Sequence, residues 1–205
     1  MGKPIATRSA ARQSELPLQK MILTPEQWAA LNLLVLTGQK TKLRSIALSD
    51  YQSAYDVFSL ECVTKSLAYW PHPLPREYLK NRIAKLRLKN GWNAGLAIEN
   101  EHGKFIGWIG FNAPSQGMKQ DMSLGYALHP DHWGHGYMSD AVDVLTHYLF
   151  QRYPIEKITA YTNLDNFGSQ RVLEKCGFQN IMEEDQKSPA RGTVDRVYRF
   201  ERYLT

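Results

Sequence analysis

The chain has 205 residues, 43% of them apolar and 11% aromatic, which is enough to bury a substantial core and suits one generous domain. No apolar stretch approaches the roughly 20 residues of a membrane span, and residues 1–20 lack the hydrophobic region of a secretory signal, so the sequence reads as soluble and cytoplasmic, with no membrane partner. The formal charge of +5 is concentrated in two places, residues 1–20 (Lys3, Arg8, Arg12 and Lys20 against Glu15) and residues 75–89 (Arg76, Lys80, Arg82, Lys85, Arg87 and Lys89 against Glu77), and reads as solvated surface, with a nucleic-acid module as the rival reading.

Residues 1–20 are polar, mixed and aperiodic, the pattern of a disordered arm. In TPEQWAALNLLVL, Thr24 stands as a helix cap and Pro25 at the first helical position, and Trp28, Leu31, Leu34 and Val35 form an apolar stripe; residues 21–40 therefore read as an N-terminal helical extension and 41–205 as the main domain. KLRSIAL follows as a strand, and Ser49 is placed to cap a helix through DYQSAYDVFSL. The Pro-rich stretch WPHPLP leads into the basic helix. WNAGLAIEN and KFIGWIGFN then read as a hairpin around a turn at residues 101–103, and QDMSLGYALHP as a further strand after a loop around Pro114.

At this point the period changes. MSDAVDVLTHYLF places Met138, Ala141, Val142, Leu145, Tyr148 and Leu149 on one helical face and leaves Asp140, Asp143 and His147 off it. KITAYTN is a short β-rich run, NFGSQRVLEKCGF a short helix with Gly177 at its C-cap, and FQNIMEE and TVDRVYRFERYL are closing strands. The order predicts a single α+β domain with a mixed sheet. Cys62 and Cys176 stand far apart and in no metal-type spacing, so both read as plain thiols.

The stretch DHWGHGYMSDAV puts Gly134 and Gly136 immediately before the long helix. Glycines there allow backbone angles closed to other residues, and the first helical turn offers unpaired N–H groups at the positive end of the helix dipole, an arrangement suited to a phosphate or pyrophosphate. A tight structural turn is the alternative. A P-loop ending Gly-Lys-[Ser/Thr] is absent, and a dinucleotide fingerprint would need glycine at Ser139. His129, His132 and His135 recur every third residue but straddle a proline and the glycine loop, a poor metal frame, so no metal is expected.

GYALHPDHWGHGYMSDAVDVLTHYLF followed by ITAYTNLDNFGSQRVLEKCGF resembles the core of the GNAT N-acetyltransferase superfamily, in particular the branch typified by enzymes that acetylate ribosomal-protein N-termini, RimJ and RimL among them. The resemblance rests on His132, Trp133, Gly134, Gly136 and Tyr137 in the loop, and on Asn166, Ser169, Val172, Leu173, Glu174, Lys175, Gly177 and Phe178 in the second motif. It implies the family's single α+β fold and acetyl-CoA as co-substrate. The pyrophosphate would lie on backbone N–H groups of Trp133, Gly134, His135, Gly136, Tyr137 and Met138, with the pantetheine arm along Ala127, Leu128 and His129, and Asn166 would either fix the turn or bond that arm. Superfamily members often carry Gln or Arg three residues before the first glycine, where this chain has Asp131.

The same resemblance assigns the chemistry. An oxyanion donor is expected at the backbone N–H of Leu128, and Ser169 is expected to protonate the departing CoA thiolate; as a helix-start serine, Ser169 is equally an ordinary cap. Relatives often place Glu where this chain has Ser123, which leaves the general base open between Asp121 and a water relay. The acceptor would be a primary amine, on a protein N-terminus or a small molecule, attacking directly in a ternary complex with the protein as monomer or homodimer. A noncatalytic CoA-binding protein of the same fold is the alternative. Trp70, Trp108 and Phe111 are candidates either for lining an acceptor groove or for core.

Overall fold

The structure, a computed structural model, describes residue 30 and residues 33–86, 93–112 and 121–204. The arm over 1–20, most of the expected N-terminal helix (Thr24, Pro25, Trp28 and Leu31), Arg87, Lys89 and the loop around Pro114 lie outside the described residues.

Eight strands form one sheet: β1 (Val35–Thr37), β2 (Lys42–Ser45), β3 (Asn93–Glu99), β4 (Phe105–Asn112), β5 (Asp121–Leu128), β6 (Lys157–Asn163), β7 (Gln179–Ser188) and β8 (Thr193–Tyr203). Their spatial order is β1-β2-β3-β4-β5-β6-β8-β7. Every neighbouring pair is antiparallel except β5 and β6, which are parallel and joined by a helical crossover. The helices are α1 (Tyr51–Phe58), α2 (Glu61–Thr64), α3 (Arg76–Leu86), α4 (Tyr137–Arg152) and α5 (Phe167–Lys175).

Each face of the sheet buries its own core. On one, α4 lays Met138, Ala141, Val142, Leu145 and Leu149 against Leu96, Ile98, Ile109, Met122, Leu124 and Ile158, and α5 contributes Leu173. On the other, Ala54, Val57 and Phe58 of α1 and Leu79 and Ile83 of α3 meet Ala97, Phe105, Trp108 and Ala127. The predicted face of α4 is the buried one, with Thr146 added and Tyr148 only partly covered. Thr146 enters the core because its hydroxyl returns a hydrogen bond to the Val142 carbonyl, 2.8 Å.

Two expectations change. Val35 belongs to β1, not to a helix: Val35, Leu36 and Thr37 pair with Arg44, Leu43 and Lys42, and Gly38 opens the turn between. A continuous apolar run such as LLVL does not distinguish the two periods by itself. The sheet thus begins inside the segment assigned to the helical extension. Ser49 sits within a 3-10 turn (Leu48–Asp50) and does not cap α1. Asp50 organises that corner instead, accepting the Ala47 N–H and, through both carboxylate oxygens, the Arg44 guanidinium at 2.7 Å, while Arg44 Nε reaches Glu99 at 2.7 Å. The basic helix α3 is likewise engaged, with Arg76 over the Tyr55 ring and Arg82 over Trp70.

Candidate functional site

The site begins where the one parallel pair comes apart. β5 and β6 are in register only from Asp121↔Lys157 to Leu124↔Ala160. Beyond that, β5 continues along β4 to Leu128 and β6 follows β8 to Asn163. His129 donates to the Ile106 carbonyl of β4 (2.9 Å), and because backbone groups alternate sides along an antiparallel strand, those of Tyr126 and Leu128 face away from β4, into the widening gap. The Leu128 carbonyl there accepts the Trp133 indole N–H at 2.8 Å.

After β5 the chain makes a 3-10 turn (Pro130–His132) and enters α4 through Trp133, Gly134, His135 and Gly136. Gly134 has φ +78° and Gly136 φ +84°, a region that strains any residue bearing a Cβ. Packing is not what demands them: a Cβ on Gly134 would meet nothing within 4 Å, and one on Gly136 only the Lys40 ammonium at 3.7 Å. Gly136 is also the N-cap of α4 and has no side chain to offer, so the first-turn N–H groups of Tyr137, Met138 and Ser139 keep their donors for something else; the first intrahelical bond runs from Asp140 N–H to the Gly136 carbonyl. The neighbouring helix α5 is built oppositely, its N-terminus closed by the Asn166 side-chain Oδ1, which accepts the Ser169 N–H at 3.2 Å. An uncapped helix end behind two left-handed glycines fits a pyrophosphate.

Ser169 stands at the other side of the gap. Its hydroxyl shares a 2.8 Å hydrogen bond with the phenol of Tyr126, which also reaches the Ser169 carbonyl at 3.3 Å. Burial raises the Tyr126 phenol well above its ordinary value, against the opposing pull of that hydrogen bond, so it stays protonated at neutral pH. Ser169, Asn166, Leu128 and the glycine loop therefore converge, and Tyr126 joins them.

Asp121 does not. It is at the far end of β5 from Leu128, about 23 Å along an extended strand, and one carboxylate oxygen lies 3.6 Å from Lys157 Nζ, which also holds Glu201 at 2.7 Å. Direct proton removal near Leu128 is out of its reach. Trp70, Trp108 and Phe111 are core, 4%, 7% and 1% exposed, with Trp70 stacked on Phe58 at 3.7 Å between ring centroids. The His129 and His132 rings lie 6.3 Å apart, and no metal-ligating group assembles among the described residues.

Two features of the loop escaped sequence reasoning. Asp140, on the first turn of α4, reaches across to the β1–β2 turn and accepts three successive backbone N–H groups, from Gln39 (2.9 Å), Lys40 (3.1 Å) and Thr41 (2.9 Å), and the Thr41 hydroxyl (2.6 Å). That clasp sets Lys40 Nζ on the carbonyl of His135, 2.9 Å away.

Residues 40–179 match the acetyltransferase (GNAT) domain family, well over half of the chain. The chain belongs to the GNAT acetyltransferase family. A 76-residue stretch, 37% of this GNAT chain, is 36% identical to the uncharacterized N-acetyltransferase YoaA of Bacillus subtilis but spans only 42% of that protein. A longer match, 29% identical over 167 residues, covers 79% of the chain and 92% of the uncharacterized N-acetyltransferase p20 of Bacillus licheniformis. Among solved structures, RimL, a ribosomal α-N-protein acetyltransferase in complex with coenzyme A, superposes with a TM-score of 0.70 at 19% identity, covering 83% of this chain and 98% of that one. Spermidine N-acetyltransferase of Vibrio cholerae, in complex with coenzyme A and spermine, superposes with a TM-score of 0.66 at 17% identity, covering 80% and 95%. At these identities the superpositions establish the shared fold.

Proposed function

We propose that this protein is an acetyl-CoA-dependent N-acetyltransferase that delivers an acetyl group to a primary amine by direct attack in a ternary complex. The observation that carries the proposal is the open N-terminus of α4: a 16-residue helix whose N-cap is a left-handed glycine without a capping side chain, at the mouth of the β5/β6 gap. Acetyl-CoA supplies an acyl group already activated as a thioester.

The chain's own groups divide the remaining work. Backbone N–H groups from Gly134 to Met138 hold the pyrophosphate, the Trp133 N–H being spent on the Pro130 carbonyl at 2.9 Å. The pantetheine arm runs along residues 127–129, where Leu128 turns its backbone to the gap while Ala127 and His129 pair with β4, with Asn166 fixing the opposite wall. The Leu128 N–H, directed into the gap, is placed to stabilise charge that develops on the thioester oxygen. Ser169 Oγ, oriented by its hydrogen bond with Tyr126, delivers a proton to the departing sulfur and regains one from the water that takes up the amine's proton. With Asp121 out of reach, the amine loses its proton through water, which suits an α-amine of ordinary pKa about 8 better than a lysine at about 10.4. That preference, together with the likeness to a ribosomal-protein enzyme, supports a protein or peptide N-terminus as acceptor, in the cytoplasm, ahead of a polyamine.

The experiment is a thermal shift with acetyl-CoA, followed by thiol release against peptide N-termini and small amines. Stabilisation with release from N-terminal peptides is the expected result. Stabilisation without release from any amine would replace the proposal by a noncatalytic CoA-binding protein, and no stabilisation would overturn both.

A further inference from the structure

We propose that Lys40 is a co-substrate-binding residue that contacts the pyrophosphate of acetyl-CoA, and that Asp140 is the positioning residue that holds it there. The inference rests on the acetyl-CoA reading of the glycine loop and names a determinant of affinity outside both sequence motifs.

Lys40 belongs to the β1–β2 turn, remote in sequence from the loop, yet its ammonium lies on the His135 carbonyl at 2.9 Å and would be 3.7 Å from a Cβ on Gly136. Among the described residues this is the ammonium's one hydrogen bond, and its charge also helps hold the exposed Glu101 carboxylate below its ordinary value. An ammonium has three donors, and immobilising a long, exposed lysine on a single neutral carbonyl gives little in return for lost side-chain freedom. An anion resting on the first-turn N–H groups of α4 would meet this charge already oriented.

The turn is built to keep it there. Three successive N–H groups converge on the Asp140 carboxylate, a concave arrangement that grips an anion, and the anion gripped is a side chain of α4 itself. A Cβ on Gly38 would lie 2.2 Å from Asp140 Oδ2 and displace the carboxylate from these donors. The clasp also occupies the acid in the first turn of α4 with four donors. Of the other carboxylates near the loop, Glu101 accepts the Tyr137 hydroxyl at 3.0 Å, while the Asp131 carboxylate is exposed to solvent beside a His129 ring nitrogen that already accepts the Asp131 N–H. Among the loop histidines, His132 is held below its ordinary value by burial and the charge of Lys104, so it brings no cation at neutral pH. Lys40 does.

The test compares wild type, Lys40→Met, Lys40→Arg and Asp140→Asn in binding acetyl-CoA, acetyl-dephospho-CoA, which keeps the pyrophosphate but lacks the 3′-phosphate, and S-acetylpantetheine, which has no phosphate. Lys40→Met is expected to weaken acetyl-CoA and acetyl-dephospho-CoA by the same factor, about tenfold for one charge-assisted contact, and to leave S-acetylpantetheine unchanged. Lys40→Arg should restore most of the loss, and Asp140→Asn should reproduce it by releasing the turn. The substituted lysine is exposed, so folding does not confound the result. Unchanged acetyl-CoA affinity in Lys40→Met overturns the proposal. An equal loss with S-acetylpantetheine overturns it in favour of a purely structural clasp, and a loss confined to acetyl-CoA overturns it in favour of the 3′-phosphate. If wild type itself does not bind acetyl-CoA, the proposed function fails first, and does so before any variant is compared.

Discussion

Ser169 owes its position to Asn166. The asparagine side-chain Oδ1 closes the first turn of α5 on the Ser169 N–H, which leaves the serine hydroxyl turned to Tyr126 at 2.8 Å rather than spent on capping. If that hydroxyl protonates the leaving sulfur, Ser169→Ala should lower kcat on the order of 10²-fold with the KM for acetyl-CoA little changed, as steady-state kinetics with the identified acceptor would show. Tyr126→Phe should lower kcat less, because the serine remains. Much of this was open to sequence reasoning: Asn166 and Ser169 stand three apart at the start of an evident amphipathic helix, a spacing with a local physical cause. Tyr126 was not, because it reaches Ser169 from another element 43 positions away and nothing in its strand neighbours marks it.

At the scale of elements, legibility follows the locality of the forces. β6 occupies residues 157–163 as predicted and the hairpin of β3 and β4 forms across its expected turn, since alternation and turn residues act over a few positions. The β1–β2 hairpin was misread because its first strand is three residues long and its turn is secured by Asp140, about a hundred positions on. The Arg44–Asp50 pair behaves similarly, tying β2 and the following turn to Glu99 of β3. Asp50 is buried, so removing its partner leaves an uncompensated charge: Arg44→Met should destabilise the fold by about 2 to 3 kcal/mol in urea unfolding. The double variant with Asp50→Asn should recover part of that loss.

For the whole molecule, three carboxylates in different parts of the fold respond to acid in the same direction. Burial disfavours the charge on Asp50, Asp140 and Glu201, but Arg44 with the Ala47 N–H, Thr41 with the N–H groups of residues 39–41, and Lys157 with Tyr203 outweigh it and hold all three below their ordinary values. A carboxylate lowered in the folded state contributes stability that is complete above its unfolded pKa, near 3.8 for Asp and 4.5 for Glu, and that disappears as pH falls through the lowered folded values. Thermal unfolding should therefore give a Tm that is flat near neutrality and declines below about pH 4.5. The decline should be shallower in Asp50→Asn and Asp140→Asn.

The parting of β5 and β6 has a consequence for how the chain assembles. Two antiparallel subsheets, β1–β5 and β6–β8, lie on either side of it, each with its own ladders, and within them the β2–β3 and β6–β8 pairings also join segments distant in sequence. Among the described residues the ladder between them is the four pairs from Asp121↔Lys157 to Leu124↔Ala160, across a crossover of roughly 36 residues whose closure costs about 3 kcal/mol of chain entropy, and the core shared under α4 completes the join. The place where acyl transfer is proposed is thus the seam of the molecule, and it stays half open in the finished fold.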